Sequence, residues 1–377
     1  MTRQPGTKQK AAAAEYAGAG ARIGHTTGPN RTMVMPTPRV TIAQVAAEAG
    51  VSAMTVSNVI NARPGASEPT RQRVLEVVER LGYSPPSARN GKRGGTGLVG
   101  VLTLDLAGEY SLEIVRGIAE EIADDERELL LNASLDAIRE RDRIAFFANG
   151  LVDGLLLIAP VLEPDAQQEI QRGELPVVVI DPRRLDLDLP RVTVDNYDGV
   201  RAGTQHLLGA GHRRIAFIRG EEDHQSSEQR YRGSADALRL AGIEPDPALV
   251  ASSNFNRQGG VHAATHLLTT QRPTAIVAAA DLIALGAIDA ARAVGLSVPG
   301  DVSIVGFDDL PQAAHSSPPL TTVRQPLHEM GRAGTRALLS LIARQPLATD
   351  DIRLTTKLIV RATTAPPPLQ PDARPPT

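Results

Sequence analysis

Residues Val40–Asn61 read VTIAQVAAEAGVSAMTVSNVIN, and the apolar positions in this stretch recur at helical rather than strand spacing. Ile42, Val45, Ala46 and Ala49 share one face of a helix that Thr41 is placed to cap. Gly50 supplies the left-handed residue that ends it, and Val51 then turns inward. Ser52 caps a second helix whose buried face is Val56, Val59 and Ile60, which leaves Ala53, Met54, Thr55, Ser57 and Asn58 pointing outward. The spacing predicts a third helix after Ser67, with Pro69 in its first turn and Val74, Val77, Val78 and Leu81 facing the other two, ending at Gly82. Two short helices joined by a tight A-G-V-S turn form a helix-turn-helix, a unit that lays its second helix in a DNA major groove. Without a nucleic-acid role, the same pattern is a plain three-helix bundle.

Charge separates these readings. Residues 1–93 carry 13 Lys and Arg against 5 Asp and Glu, whereas residues 94–377 carry 27 against 38, so the overall net charge of −3 hides a basic head on an acidic body. A basic head suits a polyanion. At 377 residues the chain exceeds one core and predicts two or three domains. A hydrophobic share of 42% and a charged share of 22% are those of a globular protein. With no Cys, disulfides, zinc–thiolate sites and cysteine nucleophiles are excluded, and the composition suits a reducing cytoplasm. Apolar runs such as GLLLIAP are too short to span a bilayer. The segment AAAAEYAGAGA is interrupted by Glu15 and lacks the apolar core of a secretion signal. Residues 1–38 are expected to be a disordered extension, with Met33 or Met35 as a candidate start.

From Leu98 the pattern changes. LVGVLTL, ELLLNA, VDGLLLIAP, PVVVID, RRIAFIRG, LVASS, TAIVAAA and VSIVGFDD read as strands, with helical stretches interleaved from SLEIVRGIAEEIADDE through DLIALGAIDAARAVG. Continuous apolar strands between amphipathic helices imply parallel sheets buried on both faces. Two rounds of the pattern, divided near Val194, predict two doubly wound α/β lobes. Folds of this class bind ligands in the crevice at the carboxyl ends of their strands.

The head sequence, followed by SEPTRQRVLEVVERLGYSP, resembles the DNA-binding domain of the lactose-repressor (LacI/GalR) family of bacterial transcription regulators. The resemblance runs from about Val40 to Arg361, and VDNYDGVRAGTQHLLGAGHRRIAFI, VPGDVSIVGFDD and PPLTTVRQP carry it through the body. It implies a helix-turn-helix head on a two-lobed body of periplasmic-binding-protein type. Carried over by position, Ala53, Met54 and Asn58 would face base edges, with Thr41, Ser52, Thr55, Ser57 and Asn61 near phosphates. The chemistry agrees: Asn pairs bidentately with adenine, Ala and Met suit a thymine methyl, and hydroxyls suit phosphate oxygens. The effector pocket implied by the resemblance contains Tyr110, Asp181, Arg230, Phe255, Asp281, Asp308 and Gln325. A carboxylate and a guanidinium hold neighbouring sugar hydroxyls in two-point fashion, and an aromatic face receives a sugar ring. Where sugar-responsive members often carry Asn before Asp, this chain has Ala280–Asp281, and Leu104 stands where a small polar residue is frequent.

The joint between head and body contains GTGLVG, a literal G-x-G-x-x-G. A dinucleotide loop follows a strand and opens a helix; this one follows a helical domain and enters a strand, so it reads as a linker. The resemblance implies a hinge helix here that wedges a leucine into the minor groove. Gly91 or Lys92 stands at the leucine position, and Gly91, Gly94 and Gly95 oppose helix at about 1 kcal/mol each. The segment keeps Arg89, Lys92 and Arg93, expected to enter a narrow minor groove electrostatically and to kink DNA less than a wedge does. The expected organisation is therefore an extension (1–38), a helix-turn-helix domain (39–83), a linker (84–97), a two-lobed effector-binding and dimerisation body (98–362) and a disordered Pro-rich tail (363–377). The tail lacks heptads, so the expected assembly is a homodimer on a near-palindromic double-stranded operator, with a sugar or sugar derivative as effector. The expected action is that of a repressor in the cytoplasm, associated with the nucleoid, without cofactor, metal or membrane. Two other readings are a sugar-binding protein of transport or sensing, which would need a secretion signal and no head, and an α/β enzyme. The chain has no G-x-S-x-G or P-loop, and His262 and His266, four apart, form no H-E-x-x-H.

Overall fold

The computed structural model describes residues 41–60, 65–81, 83, 95–103, 108–133, 139–221 and 223–368. The expected extension at 1–38 and most of the expected linker lie outside them. The chain divides into two units, Met1–Ser84 and Pro85–Thr377.

The first unit holds α1 (Ile42–Ala49), α2 (Ala53–Ile60) and α3 (Glu68–Leu81). Thr41 and Gln44 form a reciprocal capping box at the start of α1, and Gly50 ends that helix at φ 65°, a left-handed conformation that costs a glycine nothing. The three helices close on Val45, Ala46, Ala49, Val56, Val59, Val74 and Val77, the apolar positions read from the spacing.

The second unit contains two six-stranded sheets. In chain order its elements are β1 (Leu98–Thr103), α4 (Glu109–Ala123), β2 (Glu128–Ala133), α5 (Glu140–Ala148), β3 (Gly154–Ile158), α6 (Pro164–Arg172), β4 (Val177–Ile180), β5 (Arg191–Val194), α7 (Asn196–Gly209), β6 (Ile215–Arg219), α8 (Gln225–Leu240), β7 (Val250–Ser252), α9 (Arg257–His266), β8 (Ala275–Ala278), α10 (Asp281–Ala293), β9 (Ser303–Asp308), α11 (Pro311–His315), β10 (Thr321–Arg324), α12 (Leu327–Ile342), β11 (Asp351–Leu354) and β12 (Lys357–Ile359). The sheet orders are β11-β5-β4-β3-β1-β2 and β12-β10-β9-β8-β6-β7. All pairings are parallel except β10 with β12. Every residue of β3, β4, β8 and β9 is buried, as continuous apolar strands between helical layers require.

The division near Val194 is only the first of three crossings among the described residues. After β10 the chain returns to the first lobe as α12 and β11, then crosses back to place β12 in the second. The lobes are therefore not two consecutive rounds of sequence. What draws α12 to the first lobe is its close approach to α4: a Cβ on Gly117 would lie 1.9 Å from the His328 carbonyl oxygen, so only glycine permits the crossing. The body also extends past the boundary expected at 362. Thr363 is fully buried, its hydroxyl accepting from Thr321 N (2.8 Å) and donating to the Ile304 carbonyl (2.7 Å), because the segment after β12 closes the second sheet.

The glycine-rich loop is settled by where its amides point. Thr96 N and Gly97 N both donate to the Asp153 carboxylate, at 2.5 and 2.9 Å, and Arg127 pairs with the same group at 2.5 Å. Burial would raise the Asp153 pKa, but these donors outweigh it and hold the carboxyl below its ordinary range. The amides a phosphate would need are committed inside the protein.

Candidate functional site: a recognition helix and an interlobe cleft

In the head, Ser52 Oγ accepts from Thr55 N (3.1 Å) and pairs with Thr55 Oγ1 (2.9 Å), so the second helix is capped as its sequence predicts. Ser52, Ala53 and Met54 are exposed at its first turn, while Thr55, Ser57 and Asn58 are half-buried. Met54 is 71% exposed, an apolar side chain that the core does not use. Thr41 caps α1. Asn61, Arg89, Lys92 and Arg93 lie outside the described residues, as does Leu104.

In the body, strand ends and helix starts of both lobes converge on one cleft. From the first lobe, Asp181 stands just after β4 at φ 50° and accepts from the Tyr110 hydroxyl (2.6 Å), which the first turn of α4 supplies. From the second lobe, Arg230 on α8 donates through Nε to Asn196 Oδ1 (2.8 Å) and through Nη1 to the Ala279 carbonyl (2.6 Å). Its guanidinium lies 3.8 Å from the Phe307 ring centroid and 3.8 Å from Asp308 Oδ1. Gln325 Nε2 donates to Asp308 Oδ1 (2.6 Å), while the buried Gln325 Oε1 accepts no hydrogen bond from the protein. Phe255 lies against Gly220 and makes an edge contact with His224, ring centroids 5.2 Å apart.

Asp281 stands apart from this group. It is fully buried, and its two oxygens accept from Leu310 N (2.8 Å) and the Thr322 hydroxyl (2.5 Å). Its carboxyl group braces the loop behind Asp308 and presents no surface to the cleft. His224, Ser226 and Asn196 are members of the site that sequence reasoning missed. Ser226 stands one helical turn before Arg230, a spacing that places both on one face of α8. The Ser226 hydroxyl pairs with His224 Nδ1 (2.8 Å).

Burial sets the electrostatics. It pushes the Asp308 carboxyl up to about 6, with the Asp181 charge adding to the rise and Arg230 and Gln325 opposing it. Burial, and then the Asp308 charge, push Asp281 well above the carboxylate range. Tyr110 rises by burial and by the neighbouring Asp181 charge, so its phenol stays a donor. Desolvation lowers the His224 imidazole, which is neutral at pH 7.

The lobes meet around these groups. Arg183, beyond β4, pairs with Glu221, beyond β6. Gln225 N donates to the Arg183 carbonyl (2.8 Å), and Gln312 N to Glu109 Oε2 (3.3 Å). Leu310 of the second lobe packs into the core of the first. Cavities of about 300 and 500 Å³ flank the cleft, the first reaching Asp181 and the second Asp308 and Gln325. Among the described residues no group of three or more His, Asp or Glu is placed to hold a metal ion, and no helix is long and apolar enough to cross a membrane.

Comparison with known proteins agrees with both halves. Residues 41–86 match the lacI family of bacterial regulatory proteins, and residues 204–364 match a periplasmic binding protein-like domain. The chain is 35% identical over 328 residues to the HTH-type transcriptional regulator RegA of Clostridium saccharobutylicum, an alignment covering 86% of this chain and 98% of that one. Its structure is similar to that of the transcriptional regulator CelR in complex with cellobiose, with 33% identity, a TM-score of 0.68, and coverage of 86% of this chain and 100% of the other. It is also similar to the lac repressor dimer bound to operator and the anti-inducer ONPF, with 28% identity, a TM-score of 0.68, and coverage of 87% and 99%. With a capped helix-turn-helix at one end and a two-lobed body behind it, the chain belongs to the LacI family of bacterial regulatory proteins, and it is a DNA-binding transcriptional regulator rather than an enzyme.

Proposed function

We propose that the chain is a homodimeric repressor of the cytoplasm, acting on the nucleoid, whose affinity for a near-palindromic operator is set by a sugar or sugar derivative held between the lobes. The observation that carries this reading is the convergence of Arg230, Asp308 and Gln325 from one lobe on Tyr110 and Asp181 from the other. Guanidinium, carboxylates and an amide oxygen without a protein partner provide donors and acceptors for adjacent hydroxyls, and Phe255 provides a flat apolar face. A ligand touching both lobes favours the arrangement in which they meet. Coupling to the DNA site is then worth about 1–3 kcal/mol, or about 5–150-fold in operator affinity.

On DNA, Ala53 and Met54 contact thymine methyls, and Asn58 pairs with adenine. Thr41, Ser52, Thr55, Ser57 and Asn61 position the head on phosphates. Arg89, Lys92 and Arg93 follow the minor groove without a wedging leucine, so the operator centre is kinked less than a wedge would kink it. The exposure of Ser52, Ala53 and Met54 supports this assignment.

The test is selection of binding sequences from randomised duplex DNA at a stated salt concentration, since phosphate contacts make affinity depend on it. The selected duplex is then titrated by fluorescence anisotropy with and without sugars. The expected result is an inverted repeat indifferent at its centre, an operator affinity that a sugar changes, and an Arg230→Gln variant that binds DNA but no longer responds. Enrichment of single, unpaired half-sites would overturn the dimer. An operator affinity that no sugar alters would overturn the cleft reading.

A further inference from the structure

Gly95, Thr96 and Gly97 close the expected linker, and they are the residues of it that the structure describes. One carboxylate holds this exit. Asp153 Oδ1 accepts from the Thr96 hydroxyl (2.8 Å) as well as from the Thr96 backbone N–H, and Oδ2 accepts from Gly97 N and from Arg127 Nη1. Arg127 is itself fixed, its Nε donating to Asp125 Oδ2 (2.7 Å), and the Thr96 hydroxyl accepts in turn from Leu98 N (3.2 Å). The Asp153 and Arg127 side chains are 9% and 8% exposed, so these charge-assisted bonds act where water competes little. Glycine is required on the linker side: a Cβ on Gly95 would lie 2.6 Å from both carboxylate oxygens, and Gly97 sits at φ 73°.

The place of this junction matters more than its strength. Gly97, Arg127 and Asp153 immediately precede β1, β2 and β3, three neighbours in the first sheet with β1 in the middle. The linker is therefore fastened to the amino ends of three strands at once. The proposed effector groups stand at the opposite ends, where Asp181 follows β4 of the same sheet. Between the two lie packed strands joined by parallel ladders, which move as one piece.

We infer that Asp153 is a positioning residue for DNA recognition: by fixing the point and direction at which the linker leaves the first lobe, it sets the half-site spacing that the dimer accepts. The inference rests on the homodimeric repressor proposed above and adds to it a determinant of operator choice outside the head. Magnitudes support it. Releasing residues 95–97 would add up to roughly 10 Å of reach in each subunit. One base pair shifts a half-site by only about 3.4 Å along the duplex and turns it by roughly 35°. A held exit distinguishes such spacings, and a released one does not. Asp153→Asn releases it, because an amide offers a single oxygen and turns an NH2 group towards a site lined by donors.

The test is fluorescence anisotropy of the full chain at a stated salt concentration, on the selected inverted repeat and on duplexes with one base pair added to or removed from its centre. The wild type should bind both altered duplexes at least about tenfold more weakly than the selected one. Asp153→Asn and Thr96→Val should compress that difference to about threefold or less. Thr96→Ser keeps the hydroxyl and should retain it. Thr96 is exposed, so Thr96→Val carries the test if Asp153→Asn does not fold. A purely structural loss would weaken binding to all three duplexes alike, and a ratio unchanged in this way would overturn the inference, as would a wild type indifferent to the spacer. Either result leaves the dimeric reading standing, whereas selection of single half-sites removes both.

Discussion

At Asp308 a carboxyl group sits where its charge is costly, and the cost has a direction in pH. Its pKa rises from 3.8 to about 6 in the fold, so across that interval the folded chain keeps a proton that the unfolded chain has released. Stability from this group is therefore highest below pH 4, falls as pH rises towards 6, and is level above it. Asp308→Asn mimics the protonated form. Arg230 remains held by Asn196, by the Ala279 carbonyl and by the Phe307 ring. The variant should be more stable than the wild type at pH 7 by roughly 2–3 kcal/mol, a difference that shrinks to nothing by pH 4. Thermal melts of both proteins from pH 4 to 8 check this, and parallel curves would refute it. Asp281 is raised by burial and then by the Asp308 charge, so in the variant its carboxyl is raised by burial with less help, and the difference between the two melting profiles reads both groups together. The same variant should lose its response to effector, since a neutral amide cannot reproduce a charged acceptor. Resemblance named Asp308, Arg230 and Gln325 from the sequence, but the neighbours that hold them were not legible. Asn196 and Arg230 are 34 residues apart, and Asp281 reaches forward 29 to Leu310. No local pattern encodes a hydrogen bond across that distance.

Helices and strands differ in how openly the sequence announces them. The three head helices carry their caps and apolar faces within a few residues, so Thr41, Gly50 and Ser52 mark boundaries that the structure keeps. The central strands of the body are equally plain, because burial on both faces leaves an unbroken apolar run. The lobe to which α12 belongs is a different matter. Its Leu, Met and Ala positions give an amphipathic helix, but they do not say which lobe will receive it. That choice is made by Gly117 and Gly331, which let α4 and α12 touch backbone to backbone; a Cβ on Gly331 would lie 2.1 Å from the Ile114 carbonyl oxygen. Gly117→Ala should consequently push α12 off the first lobe and destabilise the body by about 1–3 kcal/mol. Urea unfolding followed by circular dichroism measures the loss, and an unchanged midpoint would mean that the helices separate without penalty. The head, with its own core of seven buried residues, should keep its stability in that variant.

On the scale of the whole body, few polar contacts join the two lobes among the described residues. The Arg183–Glu221 pair is partly exposed, at 22% and 32% of the two side chains, so it is worth at most about 1 kcal/mol. Glu221→Gln should therefore raise the effector dissociation constant up to about fivefold through faster release. Operator binding without effector should stay as it is. Stopped-flow release of the ligand distinguishes this from a change in capture, and an unaltered release rate would show that the pair does not latch the cleft.

Three passages of chain between the lobes also constrain how such a protein can be rebuilt. No single stretch of gene encodes either lobe: the first needs residues 95–194 together with 327–354, and the second needs 196–324 together with 357–368. A chimera that swaps everything before Asp195 for a relative's sequence splits α12 and β11 from the sheet they complete. Grafting a new ligand preference is therefore a task for point changes at the facing surfaces, because a one-cut exchange breaks a hydrophobic core before it moves a binding site.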